Sequence, residues 1–313
     1  MKKVSLLLAL TLILSFFTAC GGGAGEDSNV RLGFALTATD NTTADTGKIG
    51  AIAAAVLVDE KGVILACDLD EIEIKPSMKG GTFADAAELV TKGEKGDSYG
   101  MKAISSIQKE WYEQAAAYCK YAVGKTGTEL AGMKLTDGKS ADADLTAGCT
   151  VMVDGFNKAV AAAAANAKEA AASSTDTLNV SITAVRGGKD TEPSYTVNGA
   201  AVTIGADGKA TACALDEFQQ KLTIENGAFK AGAGEIKTKY ALKDNYGMKE
   251  ISGIKLEWYE QADNLAKAIV GKTEADVAAM KLTDGKAADL ASSCTIVVDG
   301  MIENVKKAMK VEG

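Results

Sequence analysis

Glu110-Trp-Tyr-Glu-Gln-Ala115 returns unchanged as Glu257-Trp-Tyr-Glu-Gln-Ala262, and the offset of 147 between the two organises the whole 313-residue chain. Tyr99-Gly-Met-Lys102 recurs at Tyr246-Gly-Met-Lys249, and Met133-Lys-Leu-Thr-Asp-Gly-Lys139 at Met280-Lys-Leu-Thr-Asp-Gly-Lys286, with the same spacing. Shorter echoes extend the unit: Ala66-Cys67 with Ala212-Cys213, Asp70-Glu71 with Asp216-Glu217, Cys149-Thr150 with Cys294-Thr295. Each unit runs to about 135 residues, a usual domain size and far too long for a solenoid repeat. The expectation is two tandem domains of one fold, 30–172 and 173–313. They are divided at the polar stretch Ser173 to Thr177, after an Ala-rich helix over Ala159 to Ala172.

Within a unit the two copies support one secondary-structure reading. An early strand is expected at Val30 to Ala38 and at Leu178 to Val185. A hairpin follows: Ala53 to Val58, the turn Asp59-Glu-Lys-Gly62, then Val63 to Ile74. Its second version is Ala200 to Ile204, Gly205-Ala-Asp-Gly208 and Lys209 to Leu215. Ile107, Trp111, Ala115, Tyr118 and Ala122 fall on one face only if the segment is helical, and Ile254, Trp258, Ala262, Leu265 and Ile269 reproduce that stripe. Thr126-x-x-Glu129 and Thr273-x-x-Asp276 are capping-box patterns. Asp137-Gly138 and Asp284-Gly285 mark turns. Thr150 to Val153 and Thr295 to Val298 read as short strands, each leading to a helix capped by Asp154 or Asp299. The fold class is α+β: in each domain a small antiparallel sheet packs against helices.

Composition narrows the chemistry. The chain has no histidine, which removes Ser/His/Asp and Cys/His nucleophile systems, HExxH zinc sites and imidazole proton shuttles. Only Arg31 and Arg186 are arginine, and the formal charge is −8, so nucleic acid is not an expected partner. No carboxylate pair stands out, and independent catalysis is not expected.

At the N-terminus, Lys2 and Lys3 precede the apolar run Val4 to Phe17, which is too short for a comfortable membrane span and reads as a secretory signal. Phe17-Thr-Ala-Cys20 resembles the lipobox of bacterial lipoproteins, with Phe17 in place of the usual leucine. That resemblance implies removal of residues 1–19 and diacylation of Cys20, and two acyl chains anchor stably where one does not. Gly21 to Asn29 then forms a flexible tether spanning roughly 15–18 Å. Loss of Lys2 and Lys3 with the leader takes the formal charge from −8 to −10, so an anionic membrane repels the mature chain and lipid alone holds it. The implied address is the outer face of the bacterial cell membrane.

Asp144-Leu-Thr-Ala-Gly-Cys-Thr150, running on into Val151 to Val160, resembles the end of the FMN-binding domain family of extracytoplasmic flavin carriers. The family motif is Asp-x-x-Ser/Thr-Gly-Ala-Ser/Thr, and its last residue takes FMN through a phosphoester installed by a flavin transferase. Asp144, Gly148 and Thr150 keep the pattern, while Ala147 and Cys149 depart from it. In the second unit Asp289, Ser292 and Thr295 keep it, with Ser293 replacing the glycine and Cys294 the alanine. The resemblance implies a covalent FMN, a flavin transferase and a redox partner, with Thr150 the better acceptor because glycine frees the turn that Ser293 stiffens. The alternative is a binding or structural lipoprotein of the same fold without flavin.

Cys67 and Cys149 recur as Cys213 and Cys294, which raises one disulfide per domain, Cys67–Cys149 and Cys213–Cys294. Closing a loop of about 80 residues would stabilise each by roughly 4–5 kcal/mol. The alternative is that these four are small buried hydrophobes. Cys119, matched by Ala266, reads as a buried thiol or a lone surface one. Trp111 and Trp258 sit on the apolar stripe and belong to the core. Asp68, Asp70, Glu71 and Glu73 invite a calcium reading, but Asp68 becomes Ala214 in the second unit, and a solvated strand face is expected.

Overall fold

The run Ile49–Val58 is apolar almost throughout, as in a strand buried on both faces, and both faces are indeed covered. The computed structural model describes residues 30–310; the leader, Cys20 and the tether lie outside them. Strands β1 (Arg31–Asp40), β2 (Ile49–Val58) and β3 (Ile64–Ile74) form an antiparallel meander, pairing Arg31 with Val58 and Ile49 with Ile74 at its ends. Asp59 makes the β2–β3 turn, its Oδ1 accepting from Lys61 N and Val63 N at 2.8 Å each. A second antiparallel sheet follows from β4 (Thr177–Lys189), β5 (Glu192–Ile204) and β6 (Ala210–Lys221), in the order β6-β5-β4.

Alternation along the strands sets the layers. Ala51, Ala53, Ala55 and Leu57 of β2, with Ile72 and Ile74 of β3, meet Ile182, Tyr195, Val197 and Phe218 of the second sheet in one shared core. Gly199 lets the sheets approach closely: a Cβ would lie 3.0 Å from the Phe34 ring, which would have to give way. The intervening Ala54, Val56 and Val58 point the other way, onto α2 (Trp111–Ala122) and α3 (Asp154–Ala165), the helices that follow the short α1 (Lys92–Lys95). In the second half α4 (Lys239–Leu242), α5 (Trp258–Ile269) and α6 (Asp299–Ala308) follow, and α5 and α6 cover the outer face of the second sheet through Trp258, Leu265, Ile269, Ile302 and Val305. The result is a mixed α/β protein with antiparallel sheets, layered helix, sheet, sheet, helix.

The repeated motifs assemble locally. The Glu110 carboxylate accepts from Met101 N at 2.8 Å and Lys102 N at 3.0 Å, while Glu110 N donates to Glu113 as α2 begins. Glu257 does the same for Met248 and Lys249, and Glu260 closes that box. Trp111 and Trp258 are core residues, as expected, at 3% and 1% exposure. Ile107 and Ile254 lie in turns ahead of the helices, so the helical face starts at each tryptophan.

Four expectations are corrected. Thr150 to Val153 and Thr295 to Val298 are loops: a glutamine side chain takes Thr150 N and Thr295 N, and Val153 N and Val298 N donate to the turn carbonyls of Gly138 and Gly285. Asp154 and Asp299 are first helical residues, preceded by Val153 and Val298 at the cap position, where their charge still favours the helix dipole. The Ala-rich helix stops at Ala165; Asn166 caps it, and Lys168–Glu169 then pairs with β1. Asp68 and Asp70 are not a solvated face. Val180 N donates to Asp68 at 2.7 Å and Gly93 N to Asp70 at 3.0 Å, and burial pushes the Asp68 pKa up to about 6.

Gly234–Ile236, from the second half, pairs antiparallel with β1 at Asp40 to Ala38, so the two sequence units share a sheet as well as a core. Among the described residues no helix is long and apolar enough to cross a membrane.

Candidate functional site

Each motif threonine is cradled by a glutamine from the repeated hexapeptide. Thr150 donates both its N–H, at 2.9 Å, and its hydroxyl, at 3.2 Å, to Gln114 Oε1. Gln114 Nε2 in turn donates to Lys109 O at 3.0 Å and Ser105 Oγ at 3.1 Å, which fixes the amide's orientation. Gln261 repeats the arrangement with Thr295 N at 2.8 Å, Thr295 Oγ1 at 3.1 Å, Leu256 O at 3.0 Å and Ser252 Oγ at 3.3 Å. Both glutamines are fully buried, and both threonines are half-buried.

The rest of the motif plays other parts. Gly148 does not occupy the left-handed region; it is small because a Cβ there would come 2.8 Å from Ala117 Cβ on α2. Ser293 makes the same turn, with Ser293 N and Cys294 N both donating to Leu290 O as Gly148 N and Cys149 N donate to Leu145 O. At the position of Ala117 the second unit carries Asn264, whose Nδ2 donates to Ser293 O at 3.0 Å. The expectation that Ser293 stiffens its turn is therefore corrected: the glycine answers to space, and the preference for Thr150 loses its ground. Asp144 and Asp289 are exposed, and among the described residues no hydrogen bond joins either carboxylate to its threonine.

Thr295 lines a cavity of about 800 Å3 between the α6 N-terminus, α5 and β5. Met248, Ile251 and Val297 give it apolar walls, and Lys239, Lys286, Glu217 and Asp299 give it charge. Asn198 also lines it, and the buried Asn198 Oδ1 has no hydrogen-bond partner among the described residues. In the hairpin alignment that matches Gly62 with Gly208, Asn198 corresponds to Ile52, so the polar group is particular to the second half.

A charged shelf borders each threonine loop. Lys239 pairs with Glu217 and lies 5.4 Å from the Tyr246 ring and 5.5 Å from the Trp258 ring. Lys92 pairs with Glu71 at 2.7 Å and lies 5.8 Å from both the Tyr99 and Trp111 rings. Burial opposes the charge on both lysines, yet the glutamate beside each holds its pKa above the ordinary lysine value. Asp216 accepts from Tyr240 N at 3.0 Å, and burial carries its pKa up to about 7. Among the described residues no group of three or more metal-ligating side chains is assembled, the acidic run included.

The proposed disulfides do not form: Cys67, Cys119, Cys149, Cys213 and Cys294 are free thiols. Cys67 faces Cys119, with the sulfurs 3.4 Å apart, and not Cys149. Burial pushes the Cys149 thiol up to about 11 and Cys213 up to about 12, so both stay protonated small hydrophobes. Of the two readings of Cys119 the structure has the buried thiol, with Cys67 as its neighbour.

No family model matches the chain, and no solved structure matches it. A chlorophenol reductase of Desulfitobacterium hafniense is 34% identical over 115 residues, or 32% of this chain and 35% of that protein. The chain thus spans about a third of that relative's length.

Sequence reading overlooked Gln114, Gln261, Lys92, Lys239 and Asn198. The first four lay in plain repeats, the hexapeptide and Thr91-Lys92 with Thr238-Lys239. Asn198 was findable only as a polar residue in an otherwise apolar strand.

Proposed function

We propose that this chain is a lipoprotein anchored through Cys20 to the outer face of the cell membrane, built from two copies of one α+β domain, and that its second half carries a covalent FMN on Thr295 for electron transfer. The observation that carries the reading is the cavity of about 800 Å3 on which Thr295 lies, with the unpaired Asn198 Oδ1 in its wall. That volume falls within the range of cofactor pockets, and Asn198 brings a side-chain amide with an unpartnered atom to its wall. The flavin supplies one- and two-electron transfer when bound. Thr295 would hold it through the hydroxyl oxygen, which gives up its proton on esterification, so Gln261 Oε1 would then keep the residue in place through Thr295 N–H alone. Lys239 and Lys286 supply positive charge at a site that must receive a phosphate, and Met248, Ile251 and Val297 offer apolar surface to the rest of the group. Matched motifs, matched element order and the paired glutamine cradles support the two-copy reading. The partial likeness to a protein named as a reductase supports a redox setting.

The test is co-expression with a flavin transferase, followed by a denaturing gel viewed for flavin fluorescence. A fluorescent band is expected for the parent and for Thr150→Ala, and none for Thr295→Ala. A label that survives Thr295→Ala, or a dark parent, overturns the assignment. For the anchor, Cys20→Ser should leave the chain unprocessed or released from membranes. A variant processed and fractionated like the parent contradicts it.

A further inference from the structure

We propose a second binding site, for a small organic anion with an apolar body, in the cleft that β1 and α3 form with β6 and α5. The cleft holds a cavity of about 810 Å3, apart from the Thr295 cavity, with Phe34, Leu36 and Leu215 in its apolar wall. Its case comes from comparing it with the matching cleft, where β3 meets β4 and α6 meets α1.

That matching cleft is closed by side chains. Asp68 accepts from Val180 N at 2.7 Å. Lys307 pairs with Glu94 at 2.8 Å and donates to Ile182 O at 2.7 Å. Cys119 fills the space against Cys67. The residues that correspond to Asp68, Lys307, Glu94 and Cys119 in the repeat are Ala214, Ala162, Ala241 and Ala266, and all four line the open cavity. Each bridge on one side is an alanine on the other.

The opposite exchange occurs at the mouth. Gly93 and Gly96 of the closed side correspond to Tyr240 and Lys243. Lys243 keeps the backbone of its glycine counterpart, φ 50° and ψ −129° against 48° and −129°, a conformation that strains any side-chain-bearing residue. Its ammonium lies 3.3 Å from the centroid of the Tyr240 ring and has no ion-pair partner among the described residues, whereas Lys168 pairs with Asp263 and Lys158 with Glu235. Burial, with Lys168 beside it, holds the Lys243 pKa below the ordinary lysine value against the opposite pull of Asp263, Asp216 and Asp244. A strained, unpaired cation beside an aromatic ring at the mouth of an apolar cavity is suited to receive an anionic head group while the cavity takes the body. This inference does not depend on flavin at Thr295.

The probe is 1-anilinonaphthalene-8-sulfonate, whose fluorescence rises on entering an apolar site, titrated into the released Cys20→Ser chain. Saturable binding at one equivalent is expected. Ala162→Lys with Ala241→Glu, which copies the closed-side ion pair, should weaken it at least tenfold. Lys243→Gly should weaken it several-fold while leaving thermal stability equal or higher, since glycine suits that backbone. N-phenyl-1-naphthylamine, which lacks the sulfonate, should bind more weakly and ignore Lys243→Gly. No saturable binding, an unchanged Kd in both variants, or equal affinity for the neutral probe overturns the proposal.

Discussion

Replacing Gln261 with leucine removes the group that holds the Thr295 loop, and the structure sets the scale of the loss. Gln261 is fully buried, and its amide joins Thr295 N, Thr295 Oγ1, Leu256 O and Ser252 Oγ. Leucine fills a similar volume but offers no polar atom, so Thr295 N–H and Leu256 C=O lose their partners. A buried backbone group without a partner costs about 1–3 kcal/mol, and the half-buried loop admits some water, so the expected destabilisation is about 2–4 kcal/mol. Thr295→Ala removes only the hydroxyl bond and leaves the N–H paired, for about 0.5–1.5 kcal/mol. Urea denaturation followed by tryptophan fluorescence reads both, since Trp258 begins the helix that carries Gln261. Tyr259→Phe, which loses only an exposed bond to Asp244 at 3.3 Å, serves as the control and should fall within about 0.5 kcal/mol of the parent. A Gln261→Leu loss no larger than the control's would refute the cradle.

Other outcomes follow from the same geometry. Gly148→Ala should destabilise by about 1–3 kcal/mol through overlap with Ala117, and Ala117→Gly in the same chain should recover part of that in a double-mutant cycle; additive losses would return the glycine to a conformational role. Asp216 has a folded pKa of about 7 against 3.8 unfolded, so the folded state binds the extra proton and stability falls as pH rises from about 4 to about 7. Asp216→Asn should flatten that fall, by up to about 4 kcal/mol, in unfolding midpoints measured across the range; an unchanged pH profile contradicts the assignment. Alkylation of the Cys20→Ser chain under denaturing, non-reducing conditions should label five thiols. Three labels would mean one formed pair, and a single label would restore the two-disulfide scheme.

The helices and hairpins were legible because their signals are local. The apolar stripe from Trp111 to Ala122 and its copy from Trp258 to Ile269 needed only helical spacing, and Asp59 with Gly62 needed only turn chemistry. The threonine loops were misread as strands because their decisive partner is a side chain 34 to 36 residues away, which no short pattern reveals. The acidic run looked solvated for a similar reason: Val180, the group that satisfies Asp68, arrives from the other sheet. The shared core was present in β2 as an apolar run without alternation, yet such a run does not name what covers each face. The motif was visible at both ends, but the cavity beside Thr295 depends on Asn198 in β5, outside the motif altogether.

Tryptic peptide mapping after co-expression with a flavin transferase tests the flavin assignment most directly. Cleavage places Thr295 on the peptide 287–306 and Thr150 on the peptide 140–158. The expected result is the mass of one esterified FMN on 287–306, localised by fragmentation to Thr295, with 140–158 unmodified. FMN on 140–158, or both peptides unmodified in a chain exposed to active transferase, would contradict it.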